Sequence, residues 1–344
     1  MHIIPAPSLV HDRHKTASAT SDDVADAPTH AQPSIYGEFY GLKERPFDLT
    51  ANPKFLFLAP RQHEALSNLR YGLTTPRGFT LLTGDAGTGK TTLVRTILGE
   101  LDASLNRYVL VSNPTLRRGE FYELLVRELG LTNGAALSKT QFLSELQRDI
   151  EARHAAGGVT GLIIDEAQSL PHDLLEEIRL LGNIETPTAK LLNIVLAGQP
   201  ELGDRLNDPS LRQLKQRITL RCQLSPFTVE ETASYIAGRL RIAGGSPADI
   251  FTRESVMAIH TASAGLPRTI NVLCDNTLMG GFAAQLKPIS VRLVQEVCRD
   301  FDLRGLDHFD LPTEGSTMVP PQPAESADHP STPGGVRKRR FFFF

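Results

Sequence analysis

The sequence predicts an α/β protein: a parallel sheet covered on both faces by helices, followed by a smaller all-helical domain. Three observations predict it. From Phe79 to about Leu224, short apolar runs alternate with helical periodicities, the sign of βα crossovers and of strands buried on both faces. The first of those runs, Phe79-Thr80-Leu81-Leu82-Thr83, leads through a glycine-rich turn into the helical pattern Thr92-Leu93-Val94-Arg95-Thr96-Ile97-Leu98. After Pro226 the strand signal stops and only helical spacing is read.

Residues 1–34 are rich in Ala, Ser, Thr, Asp, Pro and His without periodicity. Such a segment buries too little to offset its ordering entropy, so a disordered arm is expected. Order is expected from Tyr36, where Phe39, Tyr40, Leu42, Pro46, Phe47 and Leu49 cluster; Phe55-Leu56-Phe57-Leu58 then leads into a helix with Ala65, Leu66, Leu69 and Leu73 on one face. Strands are expected at 79–83, 108–112, 160–164, 191–197 and 218–223. Helices fit 118–129, opening after Thr115, then 139–154, and 172–183, opening after Pro171. The second domain reads as helices at 228–242, 252–263, 267–283 and 289–300. The expected division is thus an arm (1–34), the α/β domain (35–225), a helical domain (226–304) and a disordered tail (305–344). That tail ends in Arg337-Lys338-Arg339-Arg340 and four phenylalanines. A solvated end is the plain reading, and peripheral contact with an anionic membrane surface is the alternative.

Composition narrows the function classes. A chain of 344 residues is long enough for about two domains with cores of their own. Its 36 basic and 39 acidic residues leave a formal charge of −3, so no global field advertises nucleic acid. Cys222, Cys274 and Cys298 are too few and too scattered for a disulfide framework and read as buried apolar residues in a reducing compartment. No run reaches the roughly 18 to 20 apolar residues that span a bilayer, and His2-Ile3-Ile4-Pro5-Ala6-Pro7 is too short and proline-rich for a secretory signal. A soluble, cytoplasmic protein is expected.

The chemistry starts at Gly84-Asp85-Ala86-Gly87-Thr88-Gly89-Lys90-Thr91-Thr92, a full phosphate-binding loop between strand and helix. Glycines let backbone N–H groups turn inward around phosphates, Lys90 brings a positive charge to the β and γ positions, and the Thr91 hydroxyl can ligate Mg²⁺. Leu162-Ile163-Ile164-Asp165-Glu166 is an apolar strand ending in two carboxylates. Asp165 there would orient the metal, and Glu166 would act as general base on the attacking water. A further buried run, Leu192 to Ala197, delivers Gln199 to its end, where an amide would hold that water or a γ-phosphate oxygen; a plain turn glutamine is the competing reading. Arg217 follows Leu211-Arg212-Gln213-Leu214-Lys215-Gln216, and its planar guanidinium would reach a neighbouring subunit's γ-phosphate, against the reading of a surface charge run. Arg268 opens a helix after Gly265-Leu266-Pro267, where it would touch the nucleotide from the helical domain; a plain helix-start arginine is the competing reading.

Taken in order, these stretches resemble the AAA+ ATPases, and within them the secretion-pathway A-protein group (ExeA-like or GspA-like ATPases). The likeness runs over residues 36–300. It is carried by Phe39-Tyr40-Gly41-Leu42-Lys43-Glu44-Arg45-Pro46-Phe47, the loop at 84–91, Ile164-Asp165-Glu166-Ala167-Gln168, Ala197-Gly198-Gln199-Pro200-Glu201-Leu202, Leu214-Lys215-Gln216-Arg217-Ile218 and Gly265-Leu266-Pro267-Arg268-Thr269-Ile270-Asn271. The resemblance implies a three-layer αβα P-loop domain with a five-stranded parallel sheet in the order 5-1-4-3-2 and a small helical lid. It implies ATP and Mg²⁺ as cofactors, held by Lys90, Thr91 and Asp165, with Glu166 as base. It also implies Gln199 as first sensor, Arg217 as arginine finger, Arg268 as second sensor and adenine near Pro46-Phe47. The expected partners are further copies of the chain in a ring and the proteins of a cell-envelope secretion or export machine. The best-known members continue through a membrane segment into a peptidoglycan-binding region, and nothing after residue 300 here serves as either; relatives in polysaccharide-export and protein-sorting loci match this shorter form better.

A DNA-associated AAA+ protein, such as a transposition helper, is the alternative; no basic helix or aromatic-interleaved basic stretch favours it. A scaffold that binds ATP without turning it over is disfavoured by Glu166. Other enzyme classes lack their residues. His63-Glu64 is followed by Ser67 where a zinc-protease helix needs a second histidine, and no G-x-S-x-G elbow occurs.

Overall fold

A computed structural model describes residues 34–50, 52–112, 115–131 and 138–302. The arm, apart from Ser34, and the tail from 305 onward lie outside the described residues, as does the Arg337–Arg340 cluster, for which a solvated end is the plain reading and membrane contact the alternative.

Five strands form one parallel sheet: β1 (Phe79–Gly84), β2 (Arg107–Val111), β3 (Thr160–Ile164), β4 (Leu192–Gly198) and β5 (Ile218–Leu224). Their order is β2-β3-β4-β1-β5, the order expected. β3 and β4 are buried along their whole length, which is why they read as unbroken apolar runs rather than alternating ones. β5 is an edge strand and alternates, with Arg221 facing out, a charge of the kind that keeps an edge from pairing with another chain.

The helices follow in chain order: α1 (Gly37–Tyr40), α2 (Pro60–Thr74), α3 (Lys90–Glu100), α4 (Arg118–Leu129), α5 (Lys139–Ala155), α6 (His172–Leu181), α7 (Pro200–Arg205), α8 (Arg212–Lys215), α9 (Val229–Ile242), α10 (Pro247–Ile250), α11 (Arg253–Ser263), α12 (Pro267–Ala283) and α13 (Val291–Asp300). Successive strand residues point to opposite faces, and the two cores divide accordingly. Leu82, Ile163 and Ala197 pack with Leu66, Leu69, Leu93 and Ile97 of α2 and α3. Leu81, Ile164 and Leu196 pack with Phe121, Phe142, Leu146 and Ile178 of α4, α5 and α6. The three layers result. All three cysteines are reduced and buried.

A third core belongs to the helical region. Ile236, Leu240, Ile259, Ile270, Leu273, Leu278 and Val294 fill it, joined by Tyr36, Tyr40, Leu42, Phe47 and Phe55 from the start of the described chain. Sequence order groups residues 36–59 with the sheet, but Tyr36, Tyr40, Leu42, Phe47, Phe55 and Ala59 enter the helical core, while Leu58 packs against the α2 and α3 side of the sheet. Tyr36 Oη donates to the Asp275 carboxylate, and Lys43 N donates to Ala243 O at 2.7 Å. An apolar segment buries itself against the nearest unfilled apolar face, and here that face is made by α9, α12 and α13. No described helix is long and apolar enough to cross a membrane.

Candidate active site

The sheet gathers the site at the C-terminal ends of its central strands. Thr83 pairs with Gly198 and Gly84 with Leu224, while Ile164 lies beside Leu196. The chain leaves β1 at Gly84, turns, and enters α3 at Lys90. Gly87 (φ +85°) and Gly89 (φ +97°) are left-handed, a conformation that side chains with a Cβ resist. The loop amides and the first turn of α3 make an anion-binding concavity.

Lys90 is 4% exposed. Its Nζ donates to Gly84 O at 2.7 Å and to Asp85 O at 3.0 Å, so the ammonium lies folded over its own loop. Burial pushes that ammonium below the usual lysine range, opposed by the charges of Glu166, Asp165 and Asp85. Thr91 Oγ1 donates to Asp165 Oδ2 at 2.5 Å. Asp165 is buried at the end of β3, and its other oxygen accepts from Glu166 N at 3.0 Å. A hydroxyl and a carboxylate in contact beside a phosphate cradle form the hard-oxygen set that suits Mg²⁺.

Glu166 has φ +53°, a left-handed backbone that costs a non-glycine residue on the order of 1 to 3 kcal/mol and recurs at functional sites. Its Oε2 accepts from Gln168 Nε2 at 2.5 Å and from Gln199 Nε2 at 3.4 Å. The Gln168 amide turns its oxygen to Gln199 N at 3.1 Å. A Cβ on Gly198 would stand 2.7 Å from that oxygen, so the glycine makes room for the bridge. Arg205 donates to Gln168 O and, at 2.9 Å, to Leu170 O, fixing the turn after Glu166. Gln168 was named on sequence only as part of a motif; its tie to Glu166 and Gln199 was missed.

A cavity of about 450 Å³ opens over the loop. Its walls combine Gly87 to Thr92, the segment around Phe55 to Leu58, and Tyr235, Arg239 and Asn271 from the helical region. Arg268 also lines it, and its backbone N donates to Gly87 O at 3.3 Å, so α12 begins against the loop. The base was expected near Pro46-Phe47. Phe47 is buried in the helical core and Pro46 O is taken by Arg239 Nη1 at 2.7 Å; the cavity wall starts just beyond, at Asp48.

Arg217 is not in this cavity. It precedes β5 at the N-terminal end of the sheet, with Nη1 donating to Arg179 O at 3.1 Å. Leu224, at the other end of β5, is the residue beside Gly84, so strand length alone separates Arg217 from its own loop by roughly 20 Å. Lys90, Thr91, Asp165, Glu166, Gln199 and Arg268 therefore come together in one chain, and Arg217 stands apart.

A loop, a metal-compatible oxygen pair and an activatable carboxylate on a doubly covered parallel sheet define a P-loop nucleotide-binding protein. The model of the AAA domain family matches residues 73–206. The General secretion pathway protein A of Aeromonas hydrophila is 42% identical over 253 residues, which take in 72% of this chain and 45% of that protein. The match thus spans a little under half the length of this curated relative. Among solved structures, Cdc6p of Pyrobaculum aerophilum is similar with a TM-score of 0.57 at 20% identity, covering 76% of this chain and 71% of that one. The Drosophila ORC, solved bound to DNA, is similar with a TM-score of 0.55 at 18% identity, covering 83% and 71%. These two likenesses concern the fold alone. The chain belongs to the AAA+ ATPases of the secretion-pathway A-protein group.

Proposed function

We propose that the protein hydrolyses ATP with Mg²⁺ as an oligomer in the cytoplasm, and that this turnover serves the assembly of a bacterial cell-envelope secretion or export machine. The observation that carries the reading is the contact of Thr91 with Asp165 beside Lys90, with Glu166 next in the chain.

Lys90 exchanges the Gly84 and Asp85 carbonyls for the β- and γ-phosphate oxygens, and the loop amides hold the remaining charge. Thr91 and Asp165 would hold Mg²⁺, which supplies neutralisation of the charge that builds on the phosphates. Glu166 takes a proton from the water that attacks the γ-phosphorus, as the bond from that phosphorus to the β–γ bridging oxygen breaks and ADP departs. Gln199 orients that water while its Nε2 stays within reach of Glu166. Arg268 brings the helical lid onto the phosphates, and Arg217 enters the site of an adjoining copy. The similarity to a secretion-pathway protein over most of this chain supports the biological role.

Phosphate release from MgATP by the purified chain tests the reaction. Glu166→Gln is expected to retain ATP and to lower turnover by about 10² to 10⁴. Equal release from wild type and variant would overturn the assignment of Glu166, and no release from wild type at any protein concentration would overturn the activity.

A further inference from the structure

Gln62, the third residue of α2, is 6% exposed and lines the same cavity as the phosphate loop. Its side-chain carbonyl oxygen is buried and accepts no hydrogen bond among the described residues. Buried acceptors are almost always satisfied, so an unmet one in a cavity wall points to a donor that arrives with a ligand.

The surroundings say which ligand. Phe55, Phe57 and Leu58 line the cavity beside Gln62, and Phe57 packs edge-on to Phe227 and Tyr235 with ring centroids 5.5 and 5.7 Å away. Apolar and aromatic walls with a few convergent polar groups are what a flat heterocycle requires. The other two amides in the wall have their oxygens engaged, Asn271 by the Tyr235 hydroxyl at 2.8 Å and Asn52 by Lys54 N at 3.0 Å. On the lid wall Arg239 Nε is a buried donor with no acceptor among the described residues, so the walls carry one unmet acceptor and one unmet donor.

We propose that Gln62 reads the base of the bound nucleotide: its Oε1 accepts from the exocyclic 6-amino group of adenine and selects adenine over purines that carry a carbonyl there. A glutamine amide and adenine match as acceptor to amine and donor to ring nitrogen. A 6-carbonyl purine sets oxygen against the same buried oxygen, and the site's acceptor then stays unpaired. The inference rests on the reading of this cavity as the ATP site.

The test is competition against a fluorescent ATP analogue on the full chain, with ATP, inosine triphosphate (6-carbonyl) and purine riboside triphosphate (no 6-substituent). Wild type is expected to bind the unsubstituted purine about tenfold more weakly than ATP, the worth of one hydrogen bond, and the inosine nucleotide more weakly still. In Gln62→Met, which keeps the volume and loses the acceptor, ATP affinity falls by about that same factor and the three nucleotides converge; Gln62→Ala converges likewise. A wild type that does not distinguish the three, or variants that keep the wild-type ratios, would overturn the role of Gln62. Binding of none of them by wild type would overturn the ATP-site reading itself, and the base assignment with it. Should a variant fail to fold in a thermal melt without nucleotide, the wild-type series alone decides.

Discussion

The Gln168 side chain spans from the Glu166 carboxylate, 2.5 Å from its nitrogen, to the backbone N–H of Gln199, 3.1 Å from its oxygen. The carboxylate at the end of β3 and the amide at the end of β4 are thereby one hydrogen-bonded unit. With Oε2 of Glu166 held by two amides, the free oxygen is the one left to take a proton. Gln168→Ala is expected to lower kcat about tenfold, the cost of one positioning hydrogen bond, with KM for ATP within about twofold. Gly198→Ala places a methyl against the same amide and is expected to reproduce that split. Steady-state kinetics check both, and a loss confined to KM would contradict the positioning role.

Lys90 is poised rather than free, since both carbonyls it now contacts belong to the loop that would release it. Lys90→Ala removes the phosphate cation without removing the loop amides. A charge-assisted contact is worth about 1.5 to 3 kcal/mol, so ATP affinity is expected to drop about 10- to 100-fold in a binding titration. Unchanged affinity would show that the loop is not where the triphosphate sits.

Arg217 lies at the far end of the sheet from its own loop, held by Arg179 O. Arg217→Ala is expected to abolish turnover while each chain still binds ATP. Mixed with Lys90→Ala chains, which keep Arg217 but lack the phosphate cation, the preparation is expected to regain activity at shared interfaces. Activity of the mixture at the level of the two variants alone, with assembly intact by light scattering, would count against a role between copies.

Glu177 of α6 is buried and accepts from Tyr122 at 2.5 Å on α4 and from Lys139 at 2.7 Å on α5, with Arg118 at 3.3 Å. Burial alone would raise its carboxyl, but the hydrogen bonds from Lys139 and Tyr122, with the charges of Lys139 and Arg118, hold it below the usual glutamate range. A carboxyl lowered in the folded state stabilises above the unfolded value of about 4.3, and the gain fades as pH falls through the folded value. Glu177→Gln is expected to cost about 1 to 3 kcal/mol at pH 7 in urea unfolding and progressively less below about pH 4. A difference that stays constant down to pH 3 would exclude the linkage.

How far the sequence could be read followed how local the physics is. The phosphate loop is a contiguous string whose geometry is set by its own glycines, so Gly84 to Thr91 were legible as a turn from β1 into α3. β3 and β4 announced themselves because burial on both faces forces continuous apolar runs; β3 lies at its expected bounds and β4 is displaced by one residue. α7 and α8, at six and four residues, are too short to carry a helical period and were not anticipated. Gln168 and Gln62 needed three dimensions. One gains its partners when two strand ends come side by side, the other its place when α2 joins the cavity wall with an unpaired oxygen buried in it. The aromatic cluster from Tyr36 to Phe55 was visible as apolar, but its partners stand about two hundred residues on, beyond the reach of any periodicity.

That distance has a consequence for how the molecule is made. Tyr36 and its partner Asp275 are 239 residues apart, and synthesis proceeds at roughly 5 to 20 residues per second. The opening aromatic cluster therefore leaves the ribosome about 10 to 50 seconds before the surface that shelters it exists. Throughout that interval Tyr36, Tyr40, Leu42, Phe47 and Phe55 lack the helical face that buries them in the folded molecule.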